Sequence, residues 1–390
     1  MSVTAPKGFV AAGLACGIKA SGAPDLALLA TDDAVAVPAA GVFTSNLAAA
    51  APVSVSRAHL AATGGLASAV IISSGNANAA TGERGAADAG RMCGLVGEGL
   101  AVDGAQVLIC QTGLIGIPLP MTPIVAGIPR LVAARAGGRQ AAVEAATAIM
   151  TTDVVRKEAL VEGPGFTVGA MAKGAAMLAP NMATMLAILT TDARCEPAAL
   201  RLALTRAVDA SFNRLTVDGC TSTNDTVFVL ASGRAAAPTD TGALTDALTE
   251  ACDALAGLMA ADAEGGSRVV HVVVNGARSD DEAHRAARKV ADSNLVKCSL
   301  NGEDPYWGRV VSELGSAGVG FDINTVDVAY GATVVCRGGV AADHDDKAVR
   351  AHLALPNVEI RCELGLGQGR AAVLTVDLGH GYIDENRTTS

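Results

Sequence analysis

A long uncharged segment in the middle of the chain restricts the structures that the rest can adopt. No charged residue occurs between Lys173 and Asp192, although 17% of all residues are charged. A transmembrane helix needs about 20 apolar residues, but Pro180 lies inside this segment, and an interior proline breaks a helix. The pattern instead predicts a small-residue approach followed by a buried strand from Thr184 to Thr190. A threonine hydroxyl therefore stands at the start of a buried strand.

The overall composition argues against two classes of partner. A net charge of -10 and a pI near 5.1 disfavour binding to a phosphate backbone, which requires a basic face. Aromatic residues, on which bases stack, make up only 3% of the chain. The N-terminus lacks the basic and apolar regions of a secretory signal. We therefore expect a cytoplasmic protein that binds neither nucleic acid nor membrane.

The cysteine and histidine patterns predict no metal site. The nine cysteines are scattered and never form Cys-x-x-Cys, which fits neither a disulfide framework nor a zinc site. The six histidines include no pair at metal-ligand spacing. Phosphate-loop, zinc-protease and nucleophile-elbow signatures are also absent.

The secondary-structure signals favour an α+β fold. Predicted strands and helices tend to occur in pairs, which favours mixed α+β layers over a doubly wound parallel sheet. A length of 390 residues suggests two or three domains. A mixture of Gly, Ala, Pro and Thr at Gly233–Gly242 is the best linker candidate. We therefore expect a separate C-terminal domain from about residue 240.

Polar segments that follow regular elements are the candidate functional sites. The predicted strand from Gln106 to Cys110 leads into Thr112 and Gly113. These residues would present a hydroxyl and an unhindered backbone N–H, the two donors that an oxyanion needs. On their own they also fit an ordinary strand-ending turn. Glu264 follows an amphipathic helix and precedes two glycines, and on its own it also fits a solvated carboxylate.

Thr184 could act as a nucleophile without a histidine. A threonine is activated by its own α-amine when the chain is cut just before it. Attack of Thr184 Oγ1 on the carbonyl of Ala183, rearrangement to an ester and hydrolysis would release residues 1–183 and 184–390. A threonine in a buried strand is also explained by packing alone, so the residues by themselves leave both interpretations open.

The central segment closely resembles a known self-processing sequence. Lys173-Gly-Ala-Ala-Met-Leu-Ala-Pro-Asn-Met-Ala-Thr-Met-Leu186 is similar to the processing segment of the glutamate N-acetyltransferases of arginine biosynthesis, also called ornithine acetyltransferases. Further motifs of that family follow in its order over nearly the whole chain. They are Ala5-Pro-Lys-Gly-Phe9, Ser74-Gly-Asn-Ala-Asn-Ala79, Gln111-Thr-Gly-Leu-Ile-Gly116, Met150-Thr-Thr-Asp153, Thr221-Ser-Thr-Asn-Asp-Thr226, Asp262-Ala-Glu-Gly265, Leu295-Val-Lys297 and Asp304-Pro-Tyr-Trp-Gly-Arg309.

The resemblance implies a reaction and the residues that perform it. Thr184 would be acetylated by N-acetylornithine and deacetylated by the α-amine of glutamate, with Thr112 and Gly113 as the oxyanion hole. The positions that match substrate-binding residues of the family are Thr151, Lys173, Thr184, Glu264, Asn386 and Ser390. No metal or bound cofactor is implied, although bifunctional members of the family also accept acetyl-CoA as a donor.

The resemblance also implies an architecture. It is a layered α/β sandwich of the self-processing ornithine acetyltransferase type, with a smaller second α/β domain. Residues 1–183 would form an alpha chain that carries the oxyanion hole. Residues 184–390 would form a beta chain with the nucleophile strand and the C-terminal domain. Two copies of each would assemble into a heterotetramer.

Several positions depart from the family pattern. Ala80 stands where the family often has cysteine, and Val154-Val-Arg156 replaces Thr-Arg-Pro. The tail is one residue short, so Thr389 is an alternative to Ser390 as the terminal ligand. These departures leave room for a diverged paralogue with another acyl acceptor. Two further interpretations stay open: a hydrolase or aminopeptidase that uses the same threonine with water, and a binding protein that is never processed.

Overall fold

The computed structural model describes residues 2–177 and 185–387 and divides the chain into two compact units. The first unit is formed by the described residues up to Asn213 together with Cys220–Met259, and the second by Arg214–Gly219 together with the described residues from Ala260 onward. Composition had suggested a boundary near residue 240, where the helix Thr241–Ala261 begins. One division between the units lies between Met259 and Ala260, in the last turn of that helix.

The first unit contains the following strands and helices among its described residues. The strands are β1 (Phe9–Leu14), β2 (Leu26–Thr31), β3 (Val37–Phe43), β4 (Leu66–Ala67), β5 (Ala69–Asn76), β6 (Val107–Leu114), β7 (Lys157–Gly163), β8 (Phe166–Lys173), β9 (Leu186–Thr191) and β10 (Thr226–Ala231). The helices are α1 (Ala51–Ala62), α2 (Gly82–Leu100), α3 (Met121–Ala134), α4 (Arg139–Ala148), α5 (Pro197–Ala210) and α6 (Thr241–Ala261).

These strands form two sheets that share a core. The four-stranded sheet has the order β1-β2-β5-β6, and the six-stranded sheet has the order β4-β3-β10-β9-β8-β7. Leu29 and Ile72 of the first sheet belong to one apolar cluster with Ile188 and Phe228 of the second. Alanines of α4 complete this cluster, and their small side chains allow close approach of the backbones.

Helices cover the outer faces of the sheets. Side chains alternate between the two faces of a strand, so the next residues along β2 and β5, Leu28 and Ile71, face α2 and α3 in a separate cluster. Every residue of β2 is buried for this reason. Helix α5 packs on β3 and β10 of the six-stranded sheet. The unit is therefore a layered α+β sandwich, which confirms the predicted fold class.

The strands on which the site depends differ from the predicted ones in their ends. Strand β6 continues to Leu114 instead of ending at Cys110, because β5 pairs with it in parallel as far as Gly113, where the register shifts. Strand β9 begins at Leu186 and pairs in parallel with β10. Ala183 and Thr184 lie outside the described residues.

The second unit is built on one mixed sheet. Its strands are β11 (Val269–Ala277), β12 (Asp327–Tyr330), β13 (Thr333–Arg337), β14 (Val340–Ala341), β15 (Asn357–Glu363) and β16 (Gly369–Val376), in the order β14-β13-β12-β15-β11-β16. Its helices are α7 (Asp280–Ala291), α8 (Asn294–Asn301), α9 (Gly308–Gly315), α10 (Asp346–Leu353) and α11 (His380–Asn386). Val270, Val272 and Val274 of β11 alternate into the core of this unit. No helix in the described parts of the chain is both long and apolar enough to cross a bilayer.

Candidate active site

Thr112 and Gly113 lie at the end of β6, where that strand meets β5. Thr112 is buried, and Gly113 has a φ of +131° and pairs with Gly75. A Cβ atom on residue 113 would lie 2.2 Å from the carbonyl carbon of Gly75, so no larger residue fits. The glycine brings two backbones into close contact beside the Thr112 hydroxyl.

Lys173 connects this strand end to β8. Lys173 is the last residue of β8 and is buried, and its Nζ donates a hydrogen bond to Thr112 Oγ1 at 3.3 Å. A hydroxyl group has one donor and two acceptor positions. Accepting a bond from the ammonium group therefore leaves the O–H of Thr112 able to donate to another oxygen.

Asp153 is a buried carboxylate that accepts hydrogen bonds from the backbone at Thr151 and Gly174. Its carboxylate accepts hydrogen bonds from Lys157 Nζ at 2.6 Å, the Gly174 N–H at 2.7 Å and the Thr151 N–H at 3.0 Å. Burial disfavours ionisation, but the charges of Lys173 and Lys157 and the Gly174 N–H outweigh it and lower the pKa of Asp153 to about 2. The carboxylate therefore holds the backbone beside both Thr151 and Lys173.

A third lysine, Lys19, supports the same region. Lys19 Nζ donates to the carbonyls of Pro24 and Met150, each at 2.7 Å. Asp25 accepts hydrogen bonds from the four consecutive amides of residues 16–19. Burial lowers the pKa of Lys19, and the charge of Lys173 adds to this effect. The sequence did not suggest either residue, because their partners are set by the folded loop and not by spacing.

The polar loops singled out from the sequence meet at β6. Asn224 Nδ2 donates to the carbonyls of Ala77 and Gln111, at 2.6 and 2.9 Å. Asn78 Nδ2 in turn donates to Gln111 Oε1 at 2.9 Å. Two loops that are distant in sequence are thus bonded to the residue just before Thr112, which holds that strand end in place.

The second unit brings two other predicted residues together. Asn386 Nδ2 donates to Glu264 Oε2 at 2.9 Å and to the Tyr382 carbonyl at 3.0 Å. Gly265 has a φ of +62°, and a Cβ atom there would lie 2.0 Å from the Tyr382 nitrogen. Glu264 is therefore a hydrogen-bonded, half-buried carboxylate.

The predicted site residues are thus distributed as follows. The first unit holds Thr112, Gly113, Thr151 and Lys173 in one bonded network, and the second holds Glu264 and Asn386. Thr184, Thr389 and Ser390 lie outside the described residues. Within the described ranges, no group of three or more His, Cys, Asp and Glu side chains is arranged to hold a metal ion.

The chain is similar to known proteins over nearly its whole length. A model of the ArgJ family matches residues 10–388. The arginine biosynthesis bifunctional protein ArgJ of Mycolicibacterium paratuberculosis is 47% identical over 394 residues, covering 100% of this chain and 96% of that protein. The protein of the same name from Mycobacterium tuberculosis strain ATCC 25618 / H37Rv is 46% identical with the same coverage.

A solved structure is also similar to part of this chain. The crystal structure of ornithine acetyltransferase from Mycobacterium tuberculosis, in complex with ornithine, shares 43% sequence identity. It covers 46% of this chain and 94% of that chain, with a TM-score of 0.42.

Proposed function

The chain belongs to the ArgJ family and is an acetyltransferase of arginine biosynthesis, and from this we propose how its residues perform the reaction. The acetyl group moves from N-acetylornithine to glutamate through an acetyl ester on Thr184. The nucleophile is produced by cleavage of the chain between Ala183 and Thr184. Ornithine and N-acetylglutamate are the products.

The cleavage step needs only the chain and water. Thr184 Oγ1 attacks the carbonyl carbon of Ala183, the C–N bond breaks, and the hydroxyl proton passes to the new α-amine. Water then hydrolyses the ester between Ala183 and Oγ1. The products are a new carboxylate on Ala183 and a new amino terminus on Thr184, whose amine can now act as a base.

The transfer proceeds in two half-reactions. In the first, the α-amine of Thr184 accepts the hydroxyl proton while Oγ1 attacks the acetyl carbon of N-acetylornithine. The proton then passes to the departing amine of ornithine. In the second, the α-amine of glutamate attacks the acetyl ester, loses a proton and restores the Thr184 hydroxyl. Each half-reaction passes through one tetrahedral oxyanion, so one set of donors serves both.

The observation that carries this proposal is the contact between Lys173 and Thr112. The ammonium group on Thr112 Oγ1 at 3.3 Å leaves the threonine proton available for an oxyanion and polarises its O–H bond. The adjacent Gly113 has a conformation and surroundings that no side chain fits. A buried hydroxyl beside a crowded glycine N–H is the pair of donors expected of an oxyanion hole.

We propose substrate-binding roles for the remaining predicted residues. Lys173, beside the half-buried Thr151, provides a positive charge for a substrate carboxylate. Glu264 provides a negative charge for a substrate ammonium group, and its hydrogen bond from Asn386 fixes the orientation of the carboxylate. Ser390 is the proposed terminal ligand.

The proposed steps balance without a bound cofactor. Acetyl-CoA is proposed as an alternative acetyl donor, in line with the word bifunctional in the names of the relatives. We also propose a cytoplasmic heterotetramer of two alpha and two beta chains.

Replacement of the nucleophile tests the proposal. On a denaturing gel the wild type should give two bands of similar size, one of which begins with Thr184. Thr184→Ala should remain a single chain of 38.8 kDa and lack acetyl transfer. Thr191→Ala, which alters a buried threonine at the C-terminal end of β9, should be cleaved normally. Cleavage of Thr184→Ala at the same bond would refute the proposed nucleophile.

The acceptor dependence separates transfer from hydrolysis. Incubation with N-acetylornithine should release ornithine rapidly only when glutamate is present, with N-acetylglutamate formed in equal amount. A hydrolase would release acetate at the same rate with and without glutamate. That result would mean that water, and not glutamate, accepts the acetyl group.

A further inference from the structure

Asp225 is a buried acid that the proposed steps do not use. It lies just before β10 and is fully buried. Its Oδ1 accepts a hydrogen bond from the Met185 N–H at 2.9 Å. Its Oδ2 is also buried and has no hydrogen-bond partner among the described residues. An acid in such surroundings requires an explanation.

These contacts favour the neutral form of the side chain. A carboxylate ion that is fully buried and accepts one amide hydrogen bond lacks the partners that would offset its loss of hydration. Burial raises the pKa of Asp225 well above its ordinary range, and the Met185 amide, the charge of Lys173 and the Ser222 hydroxyl only partly oppose this. Since Oδ1 already accepts a bond, the proton belongs on Oδ2, which becomes a donor.

Asp225 and its neighbour hold Met185 from both sides. The Met185 N–H donates to Asp225 Oδ1, and the Met185 carbonyl accepts from the Thr226 N–H at 3.1 Å. From there β9 and β10 continue in parallel register. The Met185 N–H belongs to the peptide bond between Thr184 and Met185. Asp225 is therefore bonded to the peptide group that carries the proposed nucleophile.

Asn224, the residue before Asp225, connects the same loop to the end of β6. Asn224 Nδ2 donates to the Gln111 carbonyl at 2.9 Å, one residue before Thr112. Two consecutive side chains thus fix the start of β9 and the end of β6. The distance between these strand ends depends on this short connection, and misplacement of a reacting group by about 1 Å can lower a rate about 100-fold.

We propose that Asp225 is a positioning residue for acetyl transfer. As a neutral carboxylic acid it holds the Met185 peptide through Oδ1 and keeps a hydrogen-bond donor, Oδ2–H, in the buried space next to this peptide. The inference rests on the proposed function, because it assumes that the chemistry takes place next to Met185.

Two substitutions at this position distinguish a neutral acid from an anion. Asparagine keeps an acceptor oxygen and replaces O–H by an N–H donor, whereas alanine removes both. We expect Asp225→Asn to retain kcat within about fivefold and Asp225→Ala to lower it about 100-fold. The KM for N-acetylornithine should change by less than about threefold in both variants, because substrate contacts are untouched.

Asp192 offers a matched control. It is a buried acid just beyond the opposite end of β9, and it accepts a backbone hydrogen bond from the Thr167 N–H at 2.7 Å. Asp192→Ala should lower thermal stability but leave kcat unchanged. If Asp225→Asn is as inactive as Asp225→Ala, the residue acts as an anion or base and the inference is wrong. A fully active Asp225→Ala would also overturn it.

Infrared spectroscopy gives a second measurement that does not depend on the alanine variant. The folded wild type should show the carbonyl stretch of a protonated buried carboxyl group near neutral pH, and Asp225→Asn should lack it. Absence of this band in the wild type would overturn the inference. Mass spectrometry scores cleavage separately. An active but uncut wild type would refute the proposed nucleophile, while the comparison of the two variants would still test Asp225.

Discussion

Asp153→Asn breaks a buried ion pair beneath the candidate site. Both side chains of the Asp153–Lys157 pair are completely buried, and the pair has an N–O distance of 2.6 Å. Removing one partner of such a pair leaves the other charge in a poorly solvated place, which typically costs about 3–5 kcal/mol. We expect the variant to lose about this much unfolding free energy, and Lys157→Met added to it should restore part of the loss.

The pH dependence of the unfolding free energy gives an independent value for the contribution of Asp153. Folding lowers the pKa of Asp153 from 3.8 to about 2. Since one pKa unit corresponds to about 1.4 kcal/mol, ionisation of this carboxyl contributes about 2 kcal/mol. Between these two pKa values the unfolded chain binds more protons, so the contribution is complete above about pH 5 and decreases as the pH falls toward 2. The difference between the wild type and Asp153→Asn should shrink over that range.

Urea unfolding followed by circular dichroism at a series of pH values measures both quantities. Hydrogen exchange over β7 and β8 would assign the change to the first unit. Asp88→Asn is the control, because the Arg84–Asp88 pair lies on the surface with an N–O distance of 3.6 Å and should contribute less than about 1 kcal/mol. A loss below about 1 kcal/mol for Asp153→Asn, or a difference that grows in acid, would refute the assigned role of the pair.

Two further predictions follow from crowding and from burial. Gly113→Ala should lower the rate of acetyl transfer about 100-fold and lower Tm, because its Cβ would overlap the Gly75 carbonyl carbon. The control is Gly90→Ala in α2, where nothing lies within 4 Å of the new Cβ. This substitution should stabilise the helix by about 0.5–1 kcal/mol. Equal effects of the two substitutions on Tm would contradict this. In the second unit, burial lowers the pKa of Lys297 to about 8. Between pH 8 and 10 the unfolded state then binds more protons than the folded state. The unfolding free energy of the wild type, measured with urea, should therefore rise by about 2 kcal/mol relative to that of Lys297→Met. A difference between the two proteins that does not change with pH would contradict this prediction.

Local patterns were sufficient for the fold class and for two strands next to the candidate site. The apolar run after Thr184 predicted a buried strand, and β9 occupies Leu186–Thr191. The strand predicted ahead of Thr112 and Gly113 is β6. Both depend on chain periodicity and turn chemistry, which a sequence displays directly. The predicted end of β6 was wrong by four residues, because the last part of this strand is held by pairing with β5. The spacing of residues within one segment does not show which other strand pairs with it.

The roles of the buried charges could not be obtained in this way. Asp153 was part of a recognised motif, but its low pKa comes from Lys157, Lys173 and the Gly174 amide. Asp225 stood in a polar loop, and its bond to Met185 joins residues that are 40 positions apart. The charge state of each acid depends on burial and on partners brought together by the sheets.

The sequence by itself determined the family, the layered α+β class and the uncharged segment in which the nucleophile is proposed. The information lies in the order of residue types and in their spacing. Only the tertiary structure decided that Lys173 contacts the Thr112 hydroxyl, that Gly113 has no space for a side chain, and that Asn224 and Asp225 join two strand ends. These are consequences of packing between distant segments, because desolvation and hydrogen-bond partners are properties of the folded environment.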